Sequence, residues 1–173
     1  MSLDGAERQI FVKIEGMLRE WLAEDSIDEV DFEYSAIALV GTYVCWVSVN
    51  GQRLRVHMPS KISFRMSDLR AAQADSHRGA WLWSHLWMEA SDGVLHQESD
   101  WMREPVIDDE PMGDGDAAFE LDQFPRDPQW VPEWMAVKAA AYHREEEKRE
   151  RRRQRDRERR ARKKAEAAAT AEG

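Results

Sequence analysis

The stretch VDFEYSAIALVGTYVCWVSVNGQRLRVHM, residues 30–58, decides the fold. It contains three runs rich in β-branched and aromatic residues, which is the composition of β-strands. The runs are residues 30–40, 42–49 and 52–58. Asn50-Gly51 separates the last two and is a strong signal for a two-residue hairpin turn. The sequence therefore predicts three strands, and Pro59 ends this unit.

An amphipathic helix is predicted just before these strands, over residues 4–23. Asp4 can cap its first turn, with Glu7 three residues later. The apolar residues at helical spacing are Ile10, Phe11, Ile14, Met17, Leu18, Trp21 and Leu22. Such a stripe must be buried, and the sheet that follows can bury it. A weaker helical pattern begins at Ser67 and runs to Gly79.

A second hairpin is predicted from AWLWSHLWMEA (80–90) and VLHQESDWMR (94–103), with Asp92-Gly93 as its turn. A two-residue loop would pair Glu89 with His96, Trp87 with Glu98 and His85 with Asp100. One face would then carry Trp81, Trp83, His85, Trp87, His96, Glu98 and Asp100. The core face would carry Leu82, Leu86, Met88, Leu95 and Trp101. The consequence is an exposed aromatic and acidic sheet face.

The last third of the chain is predicted to be less regular. Residues 104–116 are rich in Asp, Glu, Pro and Gly, which predicts an acidic loop, and residues 117–124 predict a short helix. Pro132 suits the first turn of a last helix. That helix can dock through Trp134, Val137, Ala141 and Tyr142.

No large apolar residue follows Tyr142, so the charged run beyond it is predicted to be solvated. The i,i+4 pairs expected to support it are Glu145 with Arg149, Glu147 with Arg151, Asp156 with Arg160 and Glu158 with Arg162. We therefore predict one α+β domain over 1–142 and a basic helical or disordered tail over 143–173. The fold class is an N-terminal helix on a mostly antiparallel sheet of about five strands, with a C-terminal helix extended into a long charged helix.

Charge is divided unevenly along the 173 residues. Residues 1–137 contain 11 Lys or Arg against 26 Asp or Glu, a net charge of −15, and residues 138–173 contain 14 against 8, a net charge of +6. So acidic a body should be attracted to cationic surfaces such as the cleft of a nuclease. A single cysteine, Cys45, and the lack of an export or membrane-spanning segment predict a cytoplasmic protein that does not contact a membrane.

No compact cofactor or nucleophile motif is present, so neither a cofactor nor catalysis is predicted. His85 and His96 could approach Asp100 and Glu98 on the second hairpin, which makes a metal site or an acid/base cluster conceivable. Polar residues on an exposed sheet face are more often only solvated, and metal sites need three or four convergent ligands. We therefore favour a binding protein over an enzyme.

Residues 80–135 carry a more specific order of signals. A Trp-led hairpin and an acidic stretch ending in Glu110-Pro111 are followed by AFELDQFPRDPQWVPEW. This order resembles the YezG-like immunity family, the antitoxins of bacterial polymorphic toxin systems. The residues of the shared motif are Phe124, Pro125, Arg126, Asp127, Pro128, Trp130, Pro132 and Trp134. The basic tail after Tyr142 departs from the family pattern.

The resemblance implies that the chain neutralises a cognate toxin, often a nuclease, by tight stoichiometric binding. On this hypothesis Asp108, Asp109 and Glu110 imitate phosphates. Trp83, Trp87 and Trp101 then supply buried contact area. Arg126 is expected to pair with a local carboxylate and so hold the turn. The alternatives are an adaptor or secretion chaperone, which an α+β body with an exposed apolar sheet face would also suit, and a nucleic-acid-associated protein that acts through the Arg-rich tail.

Overall fold

A computed structural model describes residues 4–107 and 110–171 and confirms the predicted α+β class. Four helices, seven strands and a short 3-10 turn make up this part of the chain. The helices are α1 Asp4–Glu24, α2 Ser60–Ala72, α3 Asp114–Gln123 and α4 Glu133–Ala171, and the 3-10 turn is Pro128–Trp130. The strands are β1 Glu29–Ile37, β2 Val40–Val49, β3 Gln52–Val56, β4 Trp83–Glu89, β5 His96–Asp100, β6 Val106–Ile107 and β7 Glu110–Pro111.

The main sheet has five strands in the order β3-β2-β1-β4-β5, and every neighbouring pair is antiparallel. Asn50 and Gly51 join β2 to β3 with φ angles of 51° and 76°, the left-handed pair that a tight hairpin requires. The first strand ends earlier than predicted. Ala38 also has a positive φ, 49°, and turns the chain, so Val40 belongs to β2.

Helices α1 and α2 cover one face of this sheet and enclose the principal core. The helices contribute Ile14, Leu18, Trp21, Leu22, Ile62, Met66 and Leu69, and the sheet contributes Val30, Phe32, Tyr34, Cys45, Val47, Leu86 and Met88. A second, smaller core lies where α3 and α4 meet the end of β1 and the residue before β4. It contains Ile37, Leu82, Ala117, Ala118, Met135 and Ala139.

The helix predicted over 67–79 is wrong at both ends. Helix α2 begins directly after Pro59 because Ile62 and Met66 are apolar at helical spacing and face the core. It ends at Ala72, and residues 75–79 form a tight turn instead. The Asp75 carboxylate accepts hydrogen bonds from the backbone of the next residues, and Gly79 closes the turn with a φ of 71°.

The register predicted for the second hairpin is wrong by two residues. Trp87 pairs with His96, His85 with Glu98 and Trp83 with Asp100. Residues 90–95 form a longer connection, in which the Gly93 N–H donates to the Glu89 carbonyl and Leu95 turns into the core. A shift of two preserves the side-chain alternation, so the faces of β4 and β5 are as predicted.

Trp81 and Val137 do not lie where the sequence suggested. Trp81 precedes β4 and is fully buried against Tyr34, its ring edge-on at 6.0 Å, so it does not join the exposed face. On α4, Val137 is 59% exposed, and Met135 and Ala139 pack on α3 in its place.

The acidic stretch is more ordered than a loop. Strands β6 and β7 pair within it, and α3 begins at Asp114 because the Asp116 carboxylate accepts the backbone N–H of Gly113.

Helix α4 continues through the basic tail to Ala171. Of the four predicted i,i+4 pairs, only Glu147 with Arg151 forms. Glu145 binds Lys148 and Asp156 binds Arg159, both at i,i+3 spacing, and Glu158 accepts from Gln154.

Candidate functional site

The face of the sheet opposite α1 and α2 is the candidate site, and we call it the open face. Its polar and aromatic side chains belong to neither buried cluster of the described residues, whereas Ile37 at the end of β1 is buried in the second core. On the three strands β1, β4 and β5 it presents Asp31, Glu33, Trp83, His85, Trp87, His96, Glu98 and Asp100. Strand alternation places them there, because the residues between them point into the core.

Four rings form one continuous stack across the open face, which we call the aromatic row. The ring centroids of Trp83 and His85 are 6.2 Å apart, those of His85 and Trp87 4.8 Å, and those of Trp87 and His96 5.2 Å. The interplanar angles are 30°, 25° and 15°, so the rings lie nearly parallel. The Arg103 guanidinium covers the outer end at 4.6 Å from the Trp83 ring. The row is thus a broad aromatic surface already fixed in position.

Carboxylates of β1 hold this row in place from one side. The Trp83 Nε1–H donates to Glu33 Oε2 at 2.9 Å. His85 Nε2 lies 3.1 Å from Asp31 Oδ2. Both contacts follow from the pairing of β1 with β4, which sets the acids of one strand beside the rings of the other. Less side-chain freedom then remains to be lost when a partner binds.

The open face is acidic on the side of the aromatic row. Six carboxylates and three guanidiniums occupy its strand positions and the end of β5. The acids are Glu29, Asp31, Glu33, Glu89, Glu98 and Asp100, and the bases are Arg53, Arg55 and Arg103. Arg53 and Arg55 lie on the outer strand β3, where Arg53 covers Trp46. The negative charge therefore concentrates on β1, β4 and β5.

The structure separates the partner-binding residues suggested by the sequence. Trp83 and Trp87 stand in the aromatic row, whereas Trp101 lies on the opposite side of β5 and packs against the principal core. The Arg78 guanidinium lies 4.1 Å from the Trp101 ring, whose buried Nε1 finds no hydrogen-bond partner among the described residues. Glu110 is exposed in β7, and Asp108 and Asp109 lie outside the described residues.

Arg126 holds a turn, as predicted. Its side chain is fully buried and donates to the carbonyls of Trp101 and Ala80, each at 2.6 Å. It also lies 3.1 Å from the Glu120 carboxylate. Burial lowers the pKa of the Arg126 guanidinium, and the charge of Glu120 opposes that shift. The residue ties together the segments that enter β4 and leave β5.

Glu120 and Arg70 form a buried contact that sequence reasoning missed. Glu120 Oε1 accepts from Arg70 Nη2 at 2.6 Å, and its Oε2 accepts the Ala38 N–H at 2.7 Å. Arg70 also donates through Nε to the Trp81 carbonyl at 2.7 Å. One local signal was present in the sequence. Glu120 follows the buried Ala117 by three residues on α3, so the two side chains share the buried face of that helix.

The rest of the family-like motif is structural. Asp127 accepts from His77 at 2.9 Å, and its own N–H donates to the His77 carbonyl. Trp134 Nε1 donates to the Met102 carbonyl at 2.9 Å. Phe124 lies beneath the Arg70 guanidinium at 4.9 Å and Trp130 lies 5.7 Å from that of Arg78. The remaining members shape the backbone: Pro125 follows Phe124, Pro128 opens the 3-10 turn, and Pro132 is buried just before α4.

The His85 and His96 cluster differs from the metal or acid/base arrangement that the sequence made conceivable. Across β5, His85 stands opposite Glu98 and not Asp100, and its imidazole contacts Asp31 of β1. Over residues 4–107 and 110–171 no group of three or more His, Cys, Asp or Glu side chains is placed to hold a metal ion. Within the same ranges, no helix has the length and apolarity needed to span a membrane.

Comparison of the sequence with protein-family models and with curated proteins gave no match.

Proposed function

We propose that this chain is an immunity protein that neutralises a cationic toxin domain, of the nuclease class, by binding it stoichiometrically through the open face. The observation that carries the proposal is the aromatic row of Trp83, His85, Trp87 and His96, stacked without a covering helix among the described residues and bordered by carboxylates. The order of signals over residues 80–135 resembles an immunity family and supports the same class.

The charge of the open face fits a partner that binds phosphate. A nuclease needs a basic cleft to hold its substrate, and masking that cleft calls for an acidic surface of similar extent. The body carries −15 over residues 1–137, which steers a basic partner toward it at short range, within one Debye length, which is about 8 Å at physiological salt. Glu33 and Glu98 flank the aromatic row and are exposed, so they can meet cationic side chains directly.

The aromatic row supplies what charge alone does not. Trp residues at the centre of an interface contribute most of the affinity because they bury a large area with few rotatable bonds. Trp87 is the central indole here, stacked between His85 at 4.8 Å and His96 at 5.2 Å. The imidazoles of His85 and His96 both stack on the Trp87 indole, and this packing favours a role in binding a partner over a role in catalysis.

An adaptor or secretion chaperone is the second candidate, favoured by a separate apolar surface. A cavity of about 570 Å³ lies between the β1–β2 turn and α3. Leu39 is 91% exposed there, and Val40 and Phe119 lie beside it, with Asp116 and Asp122 at the rim. This surface could hold an apolar segment with basic flanks, as a chaperone would.

The proposal is tested first by capturing the partner. The tagged full chain is used to retain proteins from cells that encode it, and each retained protein is expressed alone and together with the chain. We expect a basic protein that is toxic alone and harmless with the chain. A retained partner that is acidic or harmless, and whose secretion depends on the chain, would instead support the chaperone.

Matched charge reversals then test which surface binds. Glu33→Lys with Glu98→Lys alters the open face, and Asp108→Lys with Asp109→Lys alters the acidic segment by the same total charge. We expect the first pair to slow association with the toxin more than the second, because local steering depends on charges near the interface. If the second pair has the larger effect, the interface lies at residues 108–110 and the open-face proposal is wrong.

A further inference from the structure

The distal part of α4 is a cationic rod with a composition different from the part before it. Residues 151–164, RRRQRDRERRARKK, contain ten Arg or Lys and two acids, whereas residues 144–150, REEEKRE, contain three and four. Every one of those ten basic side chains is exposed. We call residues 151–164 the basic segment and residues 144–150 the spacer. Their different compositions need separate explanations.

Ion pairs balance the spacer, but they compensate only half of the ten cations of the basic segment. In the spacer, Glu145 binds Lys148 at 2.6 Å and Glu146 binds Arg149 at 2.7 Å. In the basic segment, five arginines contact a carboxylate, namely Arg151, Arg153, Arg157, Arg159 and Arg162. The other five cations form no ion pair with the described residues, and they are Arg152, Arg155, Arg160, Lys163 and Lys164. Like charges four residues apart also repel there, as with Arg155 and Arg159, each pair costing about 0.2–0.5 kcal/mol of helix stability. A polyanion would relieve this repulsion.

The spacer also separates the basic segment from the acidic body. Tyr142 is the last residue of α4 that packs on the second core. Arg151 follows it by nine residues, which is about 14 Å along a helix, and Lys164 lies about 33 Å away. The Debye length at physiological salt is about 8 Å, so the charge of the body is largely screened at the basic segment. The rod can therefore bind an anion that the body would repel.

We propose that the basic segment binds the phosphate backbone of nucleic acid without sequence preference. Arg152, Arg155, Arg159 and Lys163 recur at helical spacing and so share one face of the rod. The 14 residues span about 21 Å, the length over which duplex DNA presents roughly a dozen phosphate charges. Eight of the ten bases are Arg, whose planar fork binds phosphate oxygens in pairs. The proposal is independent of the toxin-binding role of the open face.

Other polyanions fit the rod less well. Binding at a membrane surface through an amphipathic helix needs a large apolar face, and no large apolar residue follows Tyr142. The body of a second copy offers six carboxylates on the open face, mixed with three guanidiniums. A duplex instead matches the linear charge density of the rod along its whole length.

The test is fluorescence anisotropy of a labelled duplex of about 20 base pairs, titrated with the full chain at several salt concentrations. With four to six phosphate contacts, log K should fall against log salt with a slope of about −3.6 to −5.4. Between about 50 and 200 mM salt, a slope of about −4.5 corresponds to roughly a 500-fold loss of affinity. Absence of binding at the lowest salt would overturn the proposal.

Two variants with equal charge changes locate the contact. Arg152→Gln, Arg155→Gln and Lys163→Gln remove three cations from the basic segment. Arg144→Gln, Lys148→Gln and Arg149→Gln remove three from the spacer. Gln keeps good helix propensity in both. The variant of the basic segment should make the slope less steep by about 2.7, which is three contacts at about 0.9 each. The variant of the spacer should change the slope by no more than about 0.9, the value of one contact.

Three other outcomes contradict the proposal. Equal salt-dependence slopes for the two variants would mean that the duplex binds outside the basic segment or responds only to the net charge of the protein. Binding of the wild type to anionic lipid vesicles but not to the duplex would identify a membrane surface. Self-association of the protein that only the first variant abolishes, without duplex binding, would identify the body of a second copy as the partner.

Discussion

Replacing Glu120 with Gln should destabilise the fold more than any comparable change at the surface of α3. Glu120 is fully buried and meets three donors: Arg70 at 2.6 Å, Arg126 at 3.1 Å and the Ala38 N–H at 2.7 Å. Gln keeps the shape of the side chain but removes its charge and turns one acceptor into a donor. Two buried guanidiniums would then face a neutral group, and at least one contact would become donor against donor.

The expected loss is about 3–5 kcal/mol in the free energy of unfolding, the usual range when one partner of a buried ion pair is removed. Hydrogen bonds to charged groups contribute about 1.5–3 kcal/mol each, so loss of the charge facing the two guanidiniums of Arg70 and Arg126 gives about 3–6 kcal/mol, which overlaps this range. For a domain of this size, each kcal/mol corresponds to about 2–4 °C in Tm. The midpoint should therefore fall by about 6–20 °C.

Urea unfolding followed by tryptophan fluorescence measures this loss, with a thermal melt as a second reading. Asp122→Asn is the matched control, because Asp122 lies two residues further along α3 and is exposed. The control should stay within about 0.5 kcal/mol of the wild type. If Glu120→Gln unfolds at the same urea concentration as Asp122→Asn, with an unchanged m-value, the buried cluster does not stabilise the fold as we argue.

Further predictions concern the tail, the turn before β4 and the single thiol. Deleting residues 146–173 should move Tm by no more than a few degrees, because the last packed residue of α4 is Tyr142; a larger drop would show that the tail packs on the body. Gly79→Ala should lower the free energy of unfolding by roughly 2 kcal/mol, because the φ of Gly79 is +71° and the new Cβ would lie 2.8 Å from the Arg126 side chain. A variant that unfolds at the same urea concentration as the wild type would refute this prediction. Burial raises the pKa of Cys45 from 9.0 to about 12, so a thiol reagent at about pH 8 should modify the protein only after unfolding. Because the folded-state pKa is the higher one, Cys45 contributes stability that is complete below pH 9 and is lost as the pH rises toward 12.

Local sequence patterns predicted most of the fold correctly. Helix α1 and strands β1–β3 followed from periodicity and from Asn50-Gly51, which are properties of neighbouring residues. The register of β4 with β5 could not be obtained in this way, because Asp92-Gly93 suits both a two-residue loop and a longer one. Burial of Leu95 in the core settles that choice, and burial depends on contacts distant in sequence.

The candidate site was predictable only where local patterns determine it. Placing Trp83, His85 and Trp87 on one exposed face needed only strand alternation, and it survived an error of two residues in register. The contribution of Asp31 and Glu33 needed the knowledge that β1 lies beside β4, which no local signal provides. The contact of Glu120 with Arg70, 50 residues apart, was out of reach for the same reason.

The central claim is that the open face binds the partner, and the most direct measurement is the affinity of Trp87→Ala for the captured toxin. Leu39→Ala is the control, since Leu39 is an exposed apolar residue on the other candidate surface. A central aromatic contributes about 2 kcal/mol or more, so Kd should rise about 30-fold for Trp87→Ala, mainly through faster dissociation. Leu39→Ala should bind as the wild type does. If Trp87→Ala folds normally and keeps the wild-type Kd while Leu39→Ala loses affinity, the open face is not the binding surface.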